Sequence, residues 1–383
     1  MNSWPVISFG DVLRKTARFE ERDELTEYQF AGTYSFGRGI FRGNRKSGSS
    51  FQLPKIQRVR QNDFVYCKIM AWEGAFGVAP ANVDDCVLSG AFVVYEIDRS
   101  KLEPRFIDYY FQNRSVWERI GSKSTGTNVR RKSLHPEQFE AEKMPLPALS
   151  EQQKIVAKIE SLVAKINEAR QLRQEILTDA RAMLQSTFQQ LIEGAKYRPM
   201  AEIAPIVRRK VEIDMDGEYP ELGARSFGKG IFHKPTLIGA ELDWQKLYHV
   251  QDGDLVISNI KAWEGAIAVA SRNDHDRVGS HRYITCVPKE GVATANYLCF
   301  YLLTEAGLGK VQAASPGSAD RNRTLAMKRL EKIEVPVLNY DKQIWFNSLQ
   351  AKVAAIQQAQ AENQTELDAL LPAILDRAFR GEL

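Results

Sequence analysis

AWEGA, at Ala71–Ala75, returns letter for letter at Ala262–Ala266, 191 positions further along a chain of 383 residues. The match widens outward. IMAWEGAFGVA (Ile69–Ala79) and IKAWEGAIAVA (Ile260–Ala270) agree at eight of eleven positions, and SFGRGIF (Ser35–Phe41) answers SFGKGIF (Ser226–Phe232). Gly126 and Gly317, Arg130 and Arg321, Leu134 and Leu325, Pro145 and Pro336, and Phe188 and Phe379 keep the same offset. It loosens only near the starts of the two copies, where WPVISFGDV and RPMAEIAPIV align less well and a short length difference is expected before Ser35. Solenoid repeats run to roughly 20–50 residues, so this offset predicts two copies of one complete domain.

Each copy has two parts. DFVYCKIM, FGVAP and GAFVVYEI in the first, and DLVISNI, AIAVA and RYITCVP in the second, are short, β-branched or aromatic, and bounded by turn formers, which predicts strands. PRFIDYYFQNRSVWERI and ANYLCFYLLTEAGLGKV have helical spacing. Beyond them Glu151–Glu193 contains no Pro or Gly, and Ile155, Ile159, Leu162, Ile166, Ala169, Ile176, Ala180 and Met183 step by threes, fours and sevens. That is the stripe of a helix lying along another, about 60 Å long at ~1.5 Å per residue. Ser150 offers an N-cap oxygen and Gly194 a terminator. The second copy supplies Phe346, Val353, Ile356, Leu367, Leu371 and Ile374, with Pro372 expected to interrupt or kink its helix. Neither helix can hide its stripe alone. The expected fold class is mixed α+β: two tandem α/β domains (1–148 and 195–339) joined by two long helices (149–194 and 340–383) in an antiparallel coiled coil with pseudo-twofold symmetry. The alternative docks each helix on its own domain.

Hydrophobic residues make up 44% and charged residues 26%, an ordinary globular composition. No apolar run approaches the ~18–20 residues of a membrane span, and MNSWPVISFGDVLRK lacks the basic and apolar regions of a secretory signal. Cys67, Cys86, Cys286 and Cys299 form no CxxC pair, so neither a metal site nor a disulfide framework is expected. These features predict a cytoplasmic chain with reduced thiols and no membrane partner. The net charge is only +4, but Tyr28–Asn62 holds no acid beside Arg38, Arg42, Arg45, Lys46, Lys55, Arg58 and Arg60. Such asymmetry fits a nucleic-acid footprint; the alternative is a solvated face balanced by acids folded against it.

Catalytic signatures are near misses. FGRG at Phe36–Gly39 is similar to the glycine loop of S-adenosylmethionine-dependent methyltransferases, but no NPPY-like tetrapeptide follows. GSKSTGT (Gly121–Thr127) lacks the lysine of a P-loop. The histidines form no HxH or HExxH, there is no GxSxG, and no cluster of acids with a lysine recurs in both copies. Asp63, Asp252 and Asp254 sit at strand starts, where turn roles dominate. A non-catalytic binding protein is expected.

Three doubled segments are candidate contacts. In SFGRGIF and SFGKGIF the glycines permit close backbone approach, around Arg38 in one copy and Lys229 in the other; arginine suits bidentate contact with guanine or phosphate, lysine a point charge. In KSTGTNVRRKSL and SPGSADRNRTLAMKR, Asn128 and Asn322 could read adenine edges, while Arg130, Arg131, Arg321 and Arg323 position the backbone. Lys68 and Asn259, before AWEGA, are further candidates with Arg42 and Lys46. Trp72 and Trp263 are expected in the core, with Glu73 and Glu264 orienting an arginine or accepting from cytosine.

MPLPALSEQQKIVAKIESL (Met144–Leu162), LLPAILDRAFRGEL (Leu370–Leu383) and GDLVISNIKAWEGAIAVA together resemble, over essentially the whole chain, the specificity (S) subunits of type I restriction-modification enzymes. VPVLNYDKQIWFNSL departs from the pattern, lacking Leu-Pro and Glu-Gln, so the second hinge is expected to pack differently. The resemblance implies that each globular half is a target-recognition domain reading half of a bipartite double-stranded DNA target. It implies partner methyltransferase (M) subunits, two of them, and restriction/translocase (R) subunits, which would carry S-adenosylmethionine, ATP and Mg, with no cofactor on this chain. Ile155, Ile159, Leu162, Ile166, Leu367, Leu371, Ile374 and Phe379 are then the candidate partner-binding positions. Other readings are a recognition subunit of another defence-associated methyltransferase system, a diverged stand-alone methyltransferase or nuclease, and a coiled-coil scaffold.

Overall fold

The apolar runs become strands where turn formers bound them. A computed structural model describes residues 4–126, 132–242, 245–317 and 322–383. Its strands Phe64–Cys67, Phe76–Val78, Phe92–Ile97, Leu255–Ser258, Ile267–Val269 and Tyr283–Cys286 all fall inside the predicted runs. The helical segments each break in two, α1 (Pro104–Gln112) and α2 (Arg114–Gly121) in the first copy. Asn113, extended at ψ 122°, stops α1 and caps α2 by accepting from Ser115 N. One long helix follows, α3 (Leu149–Ile192). In the second copy α4 (Ala295–Leu303) and α5 (Glu305–Ala313) meet at Thr304, which plays the part of Asn113 by accepting from Gly307 N. Last come α6 (Tyr340–Glu362) and α7 (Gln364–Phe379), parted at Asn363; Pro372 lies inside α7, so the break is not at the proline.

The chain folds as two units, Met1–Arg173 with Gln360–Leu383, and Gln174–Ala359. Unit 1 holds a four-stranded and a five-stranded sheet; unit 2 holds a three-stranded and a five-stranded sheet. In both five-stranded sheets a long hairpin, Glu27–Thr33 with Ile40–Ser47 or Glu218–Ala224 with Ile231–Ile238, forms the edge. Corresponding core positions carry different chemistry. Phe9, Phe64, Tyr66, Phe76, Phe111 and Phe139 cluster in unit 1, whereas Met200, Leu255, Ile257, Ile267, Leu302 and Leu330 fill unit 2. Rings were exchanged for aliphatics together, which keeps each core filled.

The expected length difference before Ser35 is absent. Val6 pairs with Pro145 and Tyr197 with Pro336, so the offset of 191 already holds at the first strands. A three- or four-residue edge strand constrains too few side chains to keep that equivalence visible in sequence.

Each unit takes one half of α3. In unit 1, Ile155 and Ile159 of α3 pack with Leu375 and Ala378 of α7, and Arg170 reaches Asp368 at 2.8 Å, an antiparallel pairing. In unit 2, Leu184 and Phe188 of α3 pack with Phe346 and Val353 of α6. The helix of each copy therefore ends in the unit of the other. Phe379 rests on Phe106 (5.2 Å) and Tyr110 (5.1 Å) of α1, as Phe188 rests on Tyr297 (5.4 Å) and Tyr301 (6.3 Å) of α4. Beyond Ala169 the predicted stripe keeps Ala180, which packs on the core of unit 2, but loses Ile176 and Met183, 48% and 46% exposed, while Leu184 is buried. A helix with 3.6 residues per turn drifts by roughly 20° per heptad, which moves the buried face over one residue. Ser150 is not the cap either, because the helix already begins at Leu149.

The second hinge keeps the buried clamp of the first. Buried Gln152 donates through Nε2 to Lys101 O and Pro147 O, both 2.8 Å, and accepts from Glu103 N at 2.8 Å. Gln343 repeats the set with Val292 O (2.9 Å), Leu338 O (3.1 Å) and Thr294 N (3.0 Å). Glutamine alone carries the clamp, so the missing Leu-Pro leaves it intact. The missing Glu removes a neighbouring bond, because Trp4 Nε1 donates to Glu151 at 3.1 Å and the equivalent places hold Ala195 and Lys342.

Candidate nucleic-acid interface

The two doubled motifs are halves of one structure. SFGRGIF forms the end of the hairpin Glu27–Thr33/Ile40–Ser47, and AWEGA closes a short 3-10 helix (Lys68–Glu73) between strands Phe64–Cys67 and Phe76–Val78. The hairpin end docks on the helix end: Phe36 N donates to Glu73 O (2.7 Å), Gly37 N to Gly74 O (2.9 Å), and Ser35 Oγ to Glu73 Oε2 (3.0 Å). Unit 2 rebuilds it with Phe227 N to Glu264 O (2.8 Å), Gly228 N to Gly265 O (2.9 Å) and Ser226 Oγ to Glu264 Oε2 (2.7 Å). Gly74 and Gly265 end their helical turns at φ +82° and +78°. A Cβ on Gly74 would lie 2.6 Å from the Trp117 ring of α2, and one on Gly37 would lie 2.5 Å from Phe111 O of α1. The break between α1 and α2 thus supports the motif from behind.

Glu73 and Glu264 orient a serine and a loop rather than an arginine. In unit 2 the Lys261 ammonium (2.8 Å) and then the Ser226 hydroxyl hold the Glu264 carboxyl below its ordinary range. Trp72 and Trp263 are half-buried and not core. Each indole N–H donates one turn back, to Ile69 O (3.1 Å) or Ile260 O (3.2 Å), and each ring keeps a face for cations: Lys132 at 6.0 Å from Trp72, Lys261 at 5.4 Å and Arg323 at 5.3 Å from Trp263.

Arg38 and Lys229 are exposed at the hairpin ends. The Arg38 guanidinium lies 5.2 Å from the Tyr34 ring and 5.8 Å from Phe36; Lys229 Nζ lies 5.7 Å from Phe227. Arg42 and Lys46 stand exposed along the next strand, Lys46 over Phe30 at 5.4 Å. The basic run is balanced in part: Arg45 pairs with Glu27, Arg58 with Glu20 and Asp85, and Arg60 with Asp85. Among the described residues, Arg38, Arg42 and Lys46 make no ion pair.

Lys68 and Asn259 are half-buried. Their carbonyls accept from Leu134 N (3.0 Å) and Leu325 N (2.7 Å), which ties the polar loops to the motif. Asn259 Oδ1 is buried without a partner among the described residues. Asn322 is exposed and Arg323 lies over Trp263; Asn128, Arg130, Arg131 and Arg321 lie outside the described residues.

The candidate partner-binding stripe needs correction. Ile155, Ile159 and Ile166 are buried, and Leu162, Leu367, Leu371, Ile374 and Phe379 half-buried, in unit 1. Ile155, Ile159, Leu371, Ile374 and Phe379 pack into its own core. A side chain spent on an internal seam has little surface for a second chain. Asp63 and Asp254 do more than turn. Both are buried and paired with Arg18 and Arg209 respectively, and burial pushes the Asp63 carboxyl upward against that pairing. Burial also pushes the thiols of Cys286 and Cys299 up to about 12, so both stay protonated.

Sequence reasoning missed Phe36 and Phe227. They are exposed aromatics with left-handed backbones, φ +66° and +62°. Their repetition inside SFGxG was the available signal.

Residues 1–178 match the model of the type I restriction modification DNA specificity domain. Over residues 1–178, the first copy and part of the helix after it, the chain is similar to that specificity family. Across its whole length the chain is similar in fold to an HsdS subunit from Thermoanaerobacter tengcongensis, at 22% identity and a TM-score of 0.66, covering 100% of this chain and 98% of that one. A structure described as showing complex assembly and conformational transition of the type I R-M system has 21% identity and a TM-score of 0.69, with 100% and 99% covered. No curated protein matches the chain. The mixed α/β fold with two sheet-rich units and long helices is that of these structures. Among the described residues no group of acids, histidines and cysteines could hold a metal ion, and no helix is long and apolar enough to cross a membrane.

Proposed function

We propose that this specificity chain chooses the DNA sequence for a type I enzyme, each copy reading one half of a two-part target. One observation carries the reading. The same hairpin-on-turn assembly is built in both units from equivalent main-chain bonds, while its exposed groups differ: Arg38 against Lys229, Tyr34 against Arg225, Arg42 against His233. A shared scaffold with altered contacts suits two related but non-identical half-sites. The free cations would steer the chain onto the duplex through counterion release, giving steep salt dependence, and Arg38, Lys229 and the polar loops would then discriminate bases.

The chain itself would transfer no methyl group. Two M subunits would supply methyl transfer from S-adenosylmethionine, and R subunits ATP-driven translocation and Mg-dependent cleavage. M subunits would use helix surface outside the buried seam, where Ile176 and Met183 stand exposed. Methylome sequencing of cells carrying the complete system tests the proposal. A methylated motif of two related blocks around a spacer is expected; a continuous motif, or two wholly unrelated blocks, would refute it.

A further inference from the structure

Among the described residues, five non-glycine positions hold a left-handed backbone: Asn62, Asp85, Asp276, Phe36 and Phe227. Asparagine and aspartate visit this region readily through local hydrogen bonds; phenylalanine does not. The two phenylalanines are equivalent, and both rings are turned outward, 59% and 73% exposed. Glycine would cost the fold less at either place. Each loop is pinned by two main-chain bonds and a serine–glutamate bond, so the ring is presented on a fixed support. The Phe36 ring touches the edge of Trp117 at 6.1 Å yet leaves most of its surface to solvent. A strained conformation held twice, for rings so exposed, points to a ligand.

We propose that Phe36 and Phe227 are stacking wedges, each pressing its ring against a base step of its half-site while Arg38 or Lys229 takes the adjoining phosphate. This rests on the DNA-reading role proposed above and adds to it a means of sensing deformability. The chain neighbours of each ring are small residues and a cation: Ser35, Gly37, Arg38 and Gly39, or Ser226, Gly228, Lys229 and Gly230. That set admits an anionic backbone closely. A ring stacks on any base, but parting a step is easiest at flexible pyrimidine–purine steps. The wedges therefore select sequence without reading base edges.

The test uses the full chain with its M partner and the variants Phe36→Gly, Phe227→Gly and Phe36→Trp. The probe is a synthetic duplex bearing the methylated motif mapped for the system, with 2-aminopurine placed singly along it. Native complex should raise 2-aminopurine emission at one step in each half. Phe36→Gly should abolish the rise in one half only and weaken binding about 10-fold or more, with a thermal midpoint unchanged or higher because glycine relieves the backbone. Phe36→Trp should restore the emission. A native complex that binds without any rise, or glycine variants that bind equally well, overturns the wedges and leaves the DNA-reading role standing. Variants that keep the emission but lose M assign the rings to a protein interface and also overturn the wedges. A native complex with no preference for the motif removes both readings.

Discussion

Replacing Gln152 or Gln343 by leucine should cost far more than the loss of one polar side chain. Gln152 is fully buried at the start of α3, and its amide satisfies Lys101 O, Pro147 O and Glu103 N together. Leucine fills a similar volume but leaves two carbonyls and one N–H in a place without solvent. A buried group stripped of its partner costs about 1–3 kcal/mol. Carbonyls tolerate this better than an N–H, so the three together come to roughly 4 kcal/mol. For a unit of this size that lowers the unfolding midpoint by about 10 °C, at ~2–4 °C per kcal/mol. Differential scanning calorimetry of Gln152→Leu, Gln343→Leu and the double variant measures it, with Gln153→Leu on the exposed neighbour as control. The clamps share no partner, so their effects should add. A drop under about 2 °C in both single variants would show that the amide is not the fastening.

Phe188→Ala should destabilise by about 3–5 kcal/mol, the usual cost of a deleted buried aromatic, and Phe379→Ala, half-buried, by less; proteolysis should then expose unit 2 for the first and unit 1 for the second. Arg38→Ala should degrade recognition of one half of the methylated motif and Lys229→Ala the other, read by methylation of duplexes with single-base changes. Equal damage to both halves would refute one unit per half. Glu264 is held below its ordinary value of 4.5 by Lys261 and Ser226. With the folded value below the unfolded one, its contribution is complete above about pH 4.5, is lost as pH falls through the folded value, and should vanish in Glu264→Gln; hydrogen exchange at Phe227 and Gly228 against pH checks this.

The sequence by itself determined the duplication, the strands flanking AWEGA, the long helices and the glycine loops SFGRGIF and SFGKGIF, though not the hairpins that carry them. Those features rest on local periodicity, turn chemistry and a repeated offset, which a linear string carries. It did not reveal that AWEGA exists to hold SFGxG, since hydrogen bonds from Ser35 to Glu73 and from Ser226 to Glu264 join segments 38 residues apart. Nor did it show that each copy's helix ends in the other copy's unit, or that Gln343 rebuilds the Gln152 clamp on a different hinge sequence. It placed the tryptophans in the core because an indole usually packs, whereas cations hold one face of each at the surface. The drift of the α3 seam and the outward left-handed phenylalanines belong to tertiary structure for the same reason. Which face is buried, and which backbone strain is tolerated, depends on what the folded chain brings alongside, and no local pattern encodes it.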